Sequence, residues 1–333
     1  MQCPSLNELP PPPNGCTGWP WTEESARIGP LPRATTPSPK ITVITPSFNQ
    51  RSFVEATLRS VLLQGYHNLE YLVLDGGSTD GTVDIIKKYA RWLDYWVSEP
   101  DGGQSAAINR GLEMGSGQFA TWINSDDMLC KNAIIASASH LDTSCPNTIY
   151  VGNALHIDAT GRILHEHQGR VHSLEDLVRI RSVWRAHGHI VQPEVLFPRD
   201  LAISVGGLDP KNHYTMDYEL WGKFFLKGAQ FRYTNLPFGM FRQHQNQKTY
   251  DGIRQTRALL DSARKFVGES SDLLSEESKK EILEELLVYG TDFEEAQWKD
   301  SGRLTRLGLP RKMVIGLRRL KTLLQGPSNV SRK

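Results

Sequence analysis

From Lys40 onward the chain alternates short β-rich runs with helical segments, and each run ends in a loop of small polar and acidic residues. Residues 41–45 (ITVIT), 69–74 (LEYLVL), 94–98 (DYWVS) and 118–123 (QFATWI) read as strands. Between them, residues 51–64, about 80–91 and about 104–114 read as helices; in the first, Val54, Leu58, Val61 and Leu62 share a face at helical spacing. Strands separated by helices of this length need crossover connections. The pattern therefore predicts an α/β fold with a mainly parallel, Rossmann-like sheet and helices on both faces. After about residue 149 the alternation loosens, with strand candidates at TIYVGNA and EVLF and a helix at about 216–226.

The flanks differ from this body. Ten of the 19 prolines precede residue 40, around the GWPW of residues 18–21. Residues 1–39 thus read as a polyproline-like arm whose tryptophans dock on its own core or on a partner. Residues 251–333 read as a C-terminal helical appendage, acidic over 269–295 and basic beyond, where 298–333 hold ten Lys/Arg against one Asp. Within 311–324, Met313, Leu317, Leu320 and Leu324 fall on one face with Arg318, Arg319 and Lys321 around them. Such a helix lies on an anionic membrane surface or packs on the domain with its basic face in water.

With 38 Lys+Arg against 37 Asp+Glu and a net charge of +1, whole-chain attraction to nucleic acid is excluded. The four cysteines are scattered and form no C-x-x-C pair, which points to a reducing, cytoplasmic compartment, with peripheral contact at the inner membrane face if the basic tail binds there. No apolar run approaches the roughly 18 residues of a membrane span. The N-terminus lacks the basic and apolar regions of a secretory signal.

In an open parallel sheet, ligands sit at the carboxyl ends of the strands. Here the loops are PSFNQ (46–50), DGGSTDGT (75–82), EPDGGQ (99–104) and NSDD (124–127). Turns and helix caps use the same residue types, and Asp80 reads as a cap for the helix that follows. Asp75, Asp101, Asp126 and Asp127, however, are expected along one edge. Gathered carboxylates repel, so such a site needs a cation or ligand donors; oxygen ligation suits Mg²⁺ or Mn²⁺ together with a diphosphate. A dinucleotide fingerprint is absent, because Gly115-Ser-Gly117 follows a helix instead of opening one. A nucleotidyltransferase would need a glycine-rich basic loop after the first strand, where PSFNQR has none.

The strings ITVITPSFNQ, LEYLVLDGGSTDGT, EPDGGQSAAINRGLEMGSGQFATWINSDD, IVQPEVLF, GGLDP, MDYELWGKF and FRQHQNQKT, in this order, resemble the family 2 glycosyltransferases of the GT-A fold, non-processive and of bacterial polysaccharide type. The resemblance covers about residues 40–249. It implies a nucleotide-sugar half (40–128) and an acceptor half (129–250). It also implies hexosyl transfer with inversion from a nucleoside-diphosphate sugar, UDP-linked, to a glycan or lipid-linked acceptor, assisted by Mn²⁺ or Mg²⁺. Carried over by position, Pro46, Ser47, Asn49, Asp75, Asp101, Asn109, Ser125 and Asp126 would hold the donor, with Asp75 at the base and Asp126 near the ribose. Asp127 would bind the metal, with His244 aimed at the metal or diphosphate or serving structure alone. The family usually has Asp where this chain has Gly76, and Glu where it has Met216.

The resemblance places a catalytic base at Asp217. Helical periodicity puts Asp217 on the same face as Leu220, Trp221, Phe224 and Phe225, with Glu219 opposite. An unpaired carboxylate there is costly, which suits a base, although a carboxylate in a first turn also complements the helix dipole. His187, His189, Gln192 and Trp221 are acceptor-side candidates. The rival from another class is a non-catalytic nucleotide-sugar-binding scaffold of a glycan assembly complex, which would have no use for Asp217.

Overall fold

The computed structural model describes residues 3–27, 38–245, 247 and 252–300. The first half follows the sequence pattern: β1 (Ile41–Ser47), α1 (Val54–Leu62), β2 (Leu69–Asp75), α2 (Thr82–Tyr89), β3 (Tyr95–Ser98), α3 (Gln104–Met114) and β4 (Phe119–Trp122). Next come β5 (Met128–Leu129), α4 (Ala133–Ala138), β6 (Thr148–Ile157), β7 (Ile163–His167), α5 (Leu174–Val178), a wide-turn π segment (Ile180–Gly188), β8 (Val195–Pro198) and α6 (Arg199–Ser204). The series ends with α7 (Met216–Leu226), β9 (Gln230–Arg242), α8 (Gly252–Glu269) and α9 (Glu276–Asp300). The chain divides into two compact units after Leu286, so residues 287–300 of α9 belong to the second unit. The basic stretch 311–324 lies outside the described residues.

One nine-stranded sheet runs β3-β2-β1-β4-β8-β6-β9-β5, with β7 added alongside β6. β3, β2, β1 and β4 are mutually parallel. Beyond them β8 is antiparallel to both β4 and β6, while β6 and β9 run parallel. The sequence pattern gave no strand at β9, because Pro237 and the polar TNLP stretch interrupt its alternation. The β6–β9 register shifts between Val151 and Ala154, opposite this stretch, as a proline that cannot donate to the ladder requires.

Each face of the sheet carries a core. On one, Ile41, Val43, Tyr71 and Val73 meet Val54, Leu58, Val61 and Leu62 of α1, all at most 1% exposed. On the other, α3 lies so close to β1 that a Cβ on Gly111 would come 2.6 Å from Ile44. There Trp122 of β4 stacks on Trp221 of α7 at 5.9 Å, with Phe197 and Phe224 around them. A fully buried tryptophan removes roughly 200 Å² from water, about 5 kcal/mol before entropy, so this contact anchors α7 to the sheet. α7 is covered on its other side too. A Cβ on Gly222 would meet Phe266 of α8 at 2.2 Å, and Glu219, 5% exposed, binds Lys265 and Asn212.

The proline-rich arm docks on its own core. Cys3 and Leu9 are 6% exposed, and Trp19 Nε1 donates to the Leu129 carbonyl at 2.9 Å. The pin is Arg59 of α1, fully buried. Its guanidinium donates to the carbonyls of Pro10 (2.8 Å), Pro20 (3.1 Å) and Trp21 (2.9 Å), and it lies 5.5 Å from the centre of the Trp21 ring. An arginine fork suits three separate acceptors better than a point-charge lysine. The substitution Arg59→Ala strands three carbonyls. It should destabilise the fold by about 3 kcal/mol in urea denaturation and raise amide exchange in residues 6–9 and 21–25.

Candidate active site

The carboxyl ends of β2, β1 and β4 form one rim. Ser47 pairs with Asp75 in the parallel register, and β4 continues on the other side of β1 into the turn that carries Asp126 and Asp127. Asp75 is 1% exposed, and its carboxylate accepts from Ser78 N (2.8 Å), Ser78 Oγ (2.5 Å), Gly77 N (3.2 Å) and Ser98 Oγ (2.7 Å). Gly77 supplies the left-handed backbone, φ 83°, that wraps the loop around it. Asn49, φ 52°, clamps the first loop to the second: its backbone N–H donates to Ser78 Oγ and its Oδ1 accepts from Thr79 N. Gly81, not Asp80, holds the N-cap position of α2; Asp80, one residue earlier, accepts from Thr82 N, the first amide of the helix, at 2.9 Å. Asp101 is exposed, yet a Cβ on Gly76 would lie 3.2 Å from its Oδ1, so this carboxylate occupies the space that a side chain at 76 would enter. Pro46 and Ser47 close β1, and Ser47 Oγ is buried without a partner among the described residues.

Asp127 is 1% exposed, its Oδ1 accepting from Arg242 N at 2.8 Å and its Oδ2 from Asn124 Nδ2 at 3.3 Å. Burial first, and the neighbouring Asp126 second, hold its carboxyl well above the usual carboxylate range. His244 Nε2 lies 3.0 Å from Asp126 Oδ2, so the imidazole meets Asp126 directly. Arg242, 3% exposed, ties the cluster together: Nε donates to the Asp126 carbonyl at 2.7 Å, Nη1 to the carbonyls of Asp158 and Ala159, and the guanidinium sits 5.0 Å from the Phe53 ring. Two adjacent carboxylates and an imidazole suit a hard divalent cation whose remaining ligands come from a diphosphate, and a cation would relieve the charge crowding at Asp127. Among the described residues no three side chains already stand as a closed metal cage.

Asn124 links this cluster to Gln104 at the start of α3 and to Gln192 ahead of β8. Its Nδ2 also reaches Gln192 Oε1 at 3.3 Å, its Oδ1 accepts from Gln104 Nε2 at 2.7 Å, and Gln192 Nε2 donates to the Trp122 carbonyl at 2.6 Å. Beside Gln104, Ser105 Oγ donates to Met216 Sδ at 3.0 Å, which joins the first turns of α3 and α7. Asp217 follows. It is half-buried, Oδ1 accepts from Tyr218 N at 2.8 Å, and among the described residues no cation pairs with it. Burial pushes its carboxyl above the usual range, outweighing that hydrogen bond. Asp127, Asn124, Gln104, Ser105, Met216 and Asp217 thus form one contiguous path.

Three expected site residues sit differently. Trp221 is fully buried in the stack with Trp122 and has no surface to offer an acceptor, because the face that α7 shares with Asp217 is the one pressed onto the sheet. Asn109 spends its amide on the backbone of Leu208, accepting at 2.9 Å and donating at 2.7 Å, so it positions the GGLDP turn. Ser125 is 4% exposed, inside the turn. The His189 ring lies tilted against that of His167 at 4.1 Å, and the side chain of His187 lies outside the described residues. Conversely, Phe48 escaped the sequence reading. It is 60% exposed in the loop after β1, between Ser47 and Asn49, and a lone aromatic in a polar loop was the available signal.

The residues 42–204 match the model of glycosyl transferase family 2. The chain belongs to this family. It is 26% identical over 290 residues to an uncharacterized glycosyltransferase of Rickettsia typhi, covering 85% of this chain and 89% of the relative. It is 36% identical over 100 residues to the putative teichuronic acid biosynthesis glycosyltransferase TuaG of Bacillus subtilis, covering 29% of this chain and 39% of the relative. The fold is that of TarS from S. aureus, solved with UDP-GlcNAc (TM-score 0.57, 18% identity, 74% of this chain and 71% of that one). It is also similar to the mannosyltransferase PcManGT of Pyrobaculum calidifontis, solved with GDP-Man and Mn²⁺ (TM-score 0.51, 18% identity, 89% and 83%). The GT-A expectation and the assignment as a glycosyltransferase therefore stand. No helix among the described residues is long and apolar enough to cross a membrane.

A pH dependence follows from the histidines. Burial, with the neighbouring imidazoles, pushes His156 and His189 down to about 4 from an ordinary 6.5. Between these values the unfolded chain binds more protons than the folded one, so this part of the stability is whole above about pH 6.5 and is lost progressively towards pH 4. The thermal midpoint should fall across that window at constant ionic strength, and the double substitution H156Q/H189Q should flatten the slope.

Proposed function

We propose that this glycosyltransferase is inverting and metal-assisted, taking a UDP-linked sugar and transferring it to a hydroxyl of a glycan or lipid-linked acceptor. The observation that carries the reading is Asp217: a half-buried carboxyl without a cation partner, its affinity for protons raised by burial, at the end of the path that begins at Asp127. A base in such a setting takes a proton more readily than an ordinary carboxylate. The acceptor oxygen forms its bond to C1 as the C1–phosphate oxygen bond breaks on the opposite side. The acceptor proton passes to Asp217, and the nucleoside diphosphate leaves towards Asp126 and Asp127.

On the donor side, the exposed Phe48 ring offers a face for the base beside the fixed carboxylate of Asp75, and Asp126 serves the ribose. Asp127 and Asp126, with His244, would hold a divalent ion, which when bound neutralises charge on the departing diphosphate. The names of the similar proteins support a nucleotide-sugar donor and a surface-polysaccharide setting: UDP-GlcNAc and GDP-Man with Mn²⁺ for the two structures, teichuronic acid for the B. subtilis relative. Gln192 and His189 mark the acceptor side.

Asp217→Asn keeps the carbonyl that accepts from Tyr218 N. It should leave UDP-sugar affinity within about twofold by calorimetry while transfer falls at least about a hundredfold; unchanged transfer would sink the base assignment. Asp127→Asn should abolish the Mn²⁺ dependence of UDP binding in a thermal-shift titration. Phe48→Ala should weaken UDP binding about tenfold, the loss of one stacking contact.

A further inference from the structure

The hairpin of β6 and β7, with the end of β9, carries imidazoles that the transfer chemistry does not use. Cross-strand register aligns His165 of β7, His156 of β6 and Phe241 of β9 in one row. His156 stacks on His165 at 4.2 Å and 15°, and Phe241 meets His156 edge-on at 5.3 Å. In the neighbouring row His167 stands 4.1 Å from His189, whose ring is 6.1 Å from that of Trp184. Trp184 in turn packs edge-on at 4.8 Å against Tyr218, the residue after Asp217. A continuous track of rings therefore leads from the helix bearing the base to the outer edge of the hairpin.

Exposure along this track is graded. Trp184, His167 and His156 are each 8% exposed, His189 and Phe241 are half-buried, and His165 is open to solvent beside the exposed Ile163 and Leu164. Flat rings with a free face or edge accept the apolar C–H face of a pyranose, and burial keeps His156 and His189 uncharged at neutral pH, which favours such contact. One polar group is also left over. Gln243 Nε2 donates to His156 Nδ1 at 2.9 Å, which places the ring proton on Nε2, and Nε2 has no partner among the described residues. A buried donor without an acceptor is unfavourable by about 1–3 kcal/mol, and a ligand hydroxyl would remove that cost on reaching it past the His165 ring stacked there. Metal ligation does not explain the cluster, since no three of these groups stand at ligand geometry among the described residues.

We propose that this ring track is the acceptor subsite: it takes a neutral glycan whose pyranose units pack against the open His165 ring and the half-buried Phe241, with His156 Nε2–H donating to a hydroxyl once the ring stacked on it moves aside. The proposal rests on the reading of Asp217 as base, because the track ends at Tyr218, the next residue in the chain.

The test uses the full chain labelled with ¹³C at the histidine rings, saturated with UDP and Mn²⁺, and titrated with cellotetraose, maltotetraose and chitotetraose at millimolar concentration. At least one of them should move the ring signals of His156 and His165. H165A/F241A should weaken that response about tenfold, as should Q243A at an exposed position, each with the UDP thermal shift unchanged. If none of the three glycans moves the ring signals while UDP with Mn²⁺ still raises the thermal midpoint, the acceptor proposal falls and the donor reading survives. A chain that responds neither to UDP nor to GDP with Mn²⁺ overturns the donor reading and this proposal with it.

Discussion

A buried carboxyl group, held above the usual carboxylate range by its removal from water, organises this molecule. Asp127 is removed from water at the end of β4, and its two oxygens are held by the Arg242 backbone and the Asn124 amide. Each partner commits a larger element. Arg242 closes the thirteen-residue β9, whose guanidinium also ties down the Asp126, Asp158 and Ala159 carbonyls. Asn124 draws in Gln104 at the start of α3 and Gln192 ahead of β8. Removing a polar group from water is costly unless hydrogen-bond partners surround it. The antiparallel half of the sheet is thereby fastened to the parallel half at the point where the chemistry is placed.

α7 shows how a helix that bears the proposed base is positioned mainly by contacts elsewhere along its length. Trp221 and Phe224 press onto Trp122, Gly222 admits Phe266 of α8, and Glu219 is locked to Lys265. Among the described residues, the hydrogen bond that Asp217 accepts comes from the Tyr218 amide. Its placement is thus inherited from the packing of Trp221, Gly222 and Phe224 and from the Glu219–Lys265 ion pair.

Much of the donor side was legible in the sequence, because each acidic loop terminates a strand and the strand alternation fixes their common edge. α3 and α7 begin and end where spacing placed them, bounded by Gly103 and Gly115 in one case and by a sharp change of pattern in the other. The acceptor half was less legible. β9 pairs with a strand some eighty residues away and contains Pro237, so its identity depends on a tertiary partner that local pattern does not name. Periodicity gave the direction of Trp221 correctly but not what lies in that direction, which is the sheet. The amide path through Gln104, Asn124 and Gln192 joins distant segments and has no spacing signature. Phe48 was hidden by the polar residues around it.

The docked arm changes where a minimal catalytic fragment can begin. A boundary drawn at residue 40, where the family pattern starts, would cut away Cys3, Leu9 and Trp19 from the apolar floor they cover and leave the Arg59 cation inside without its carbonyl oxygens. The arm is thus part of the folded core, and a chain shortened at that boundary would have to replace the arginine along with the segment it grips.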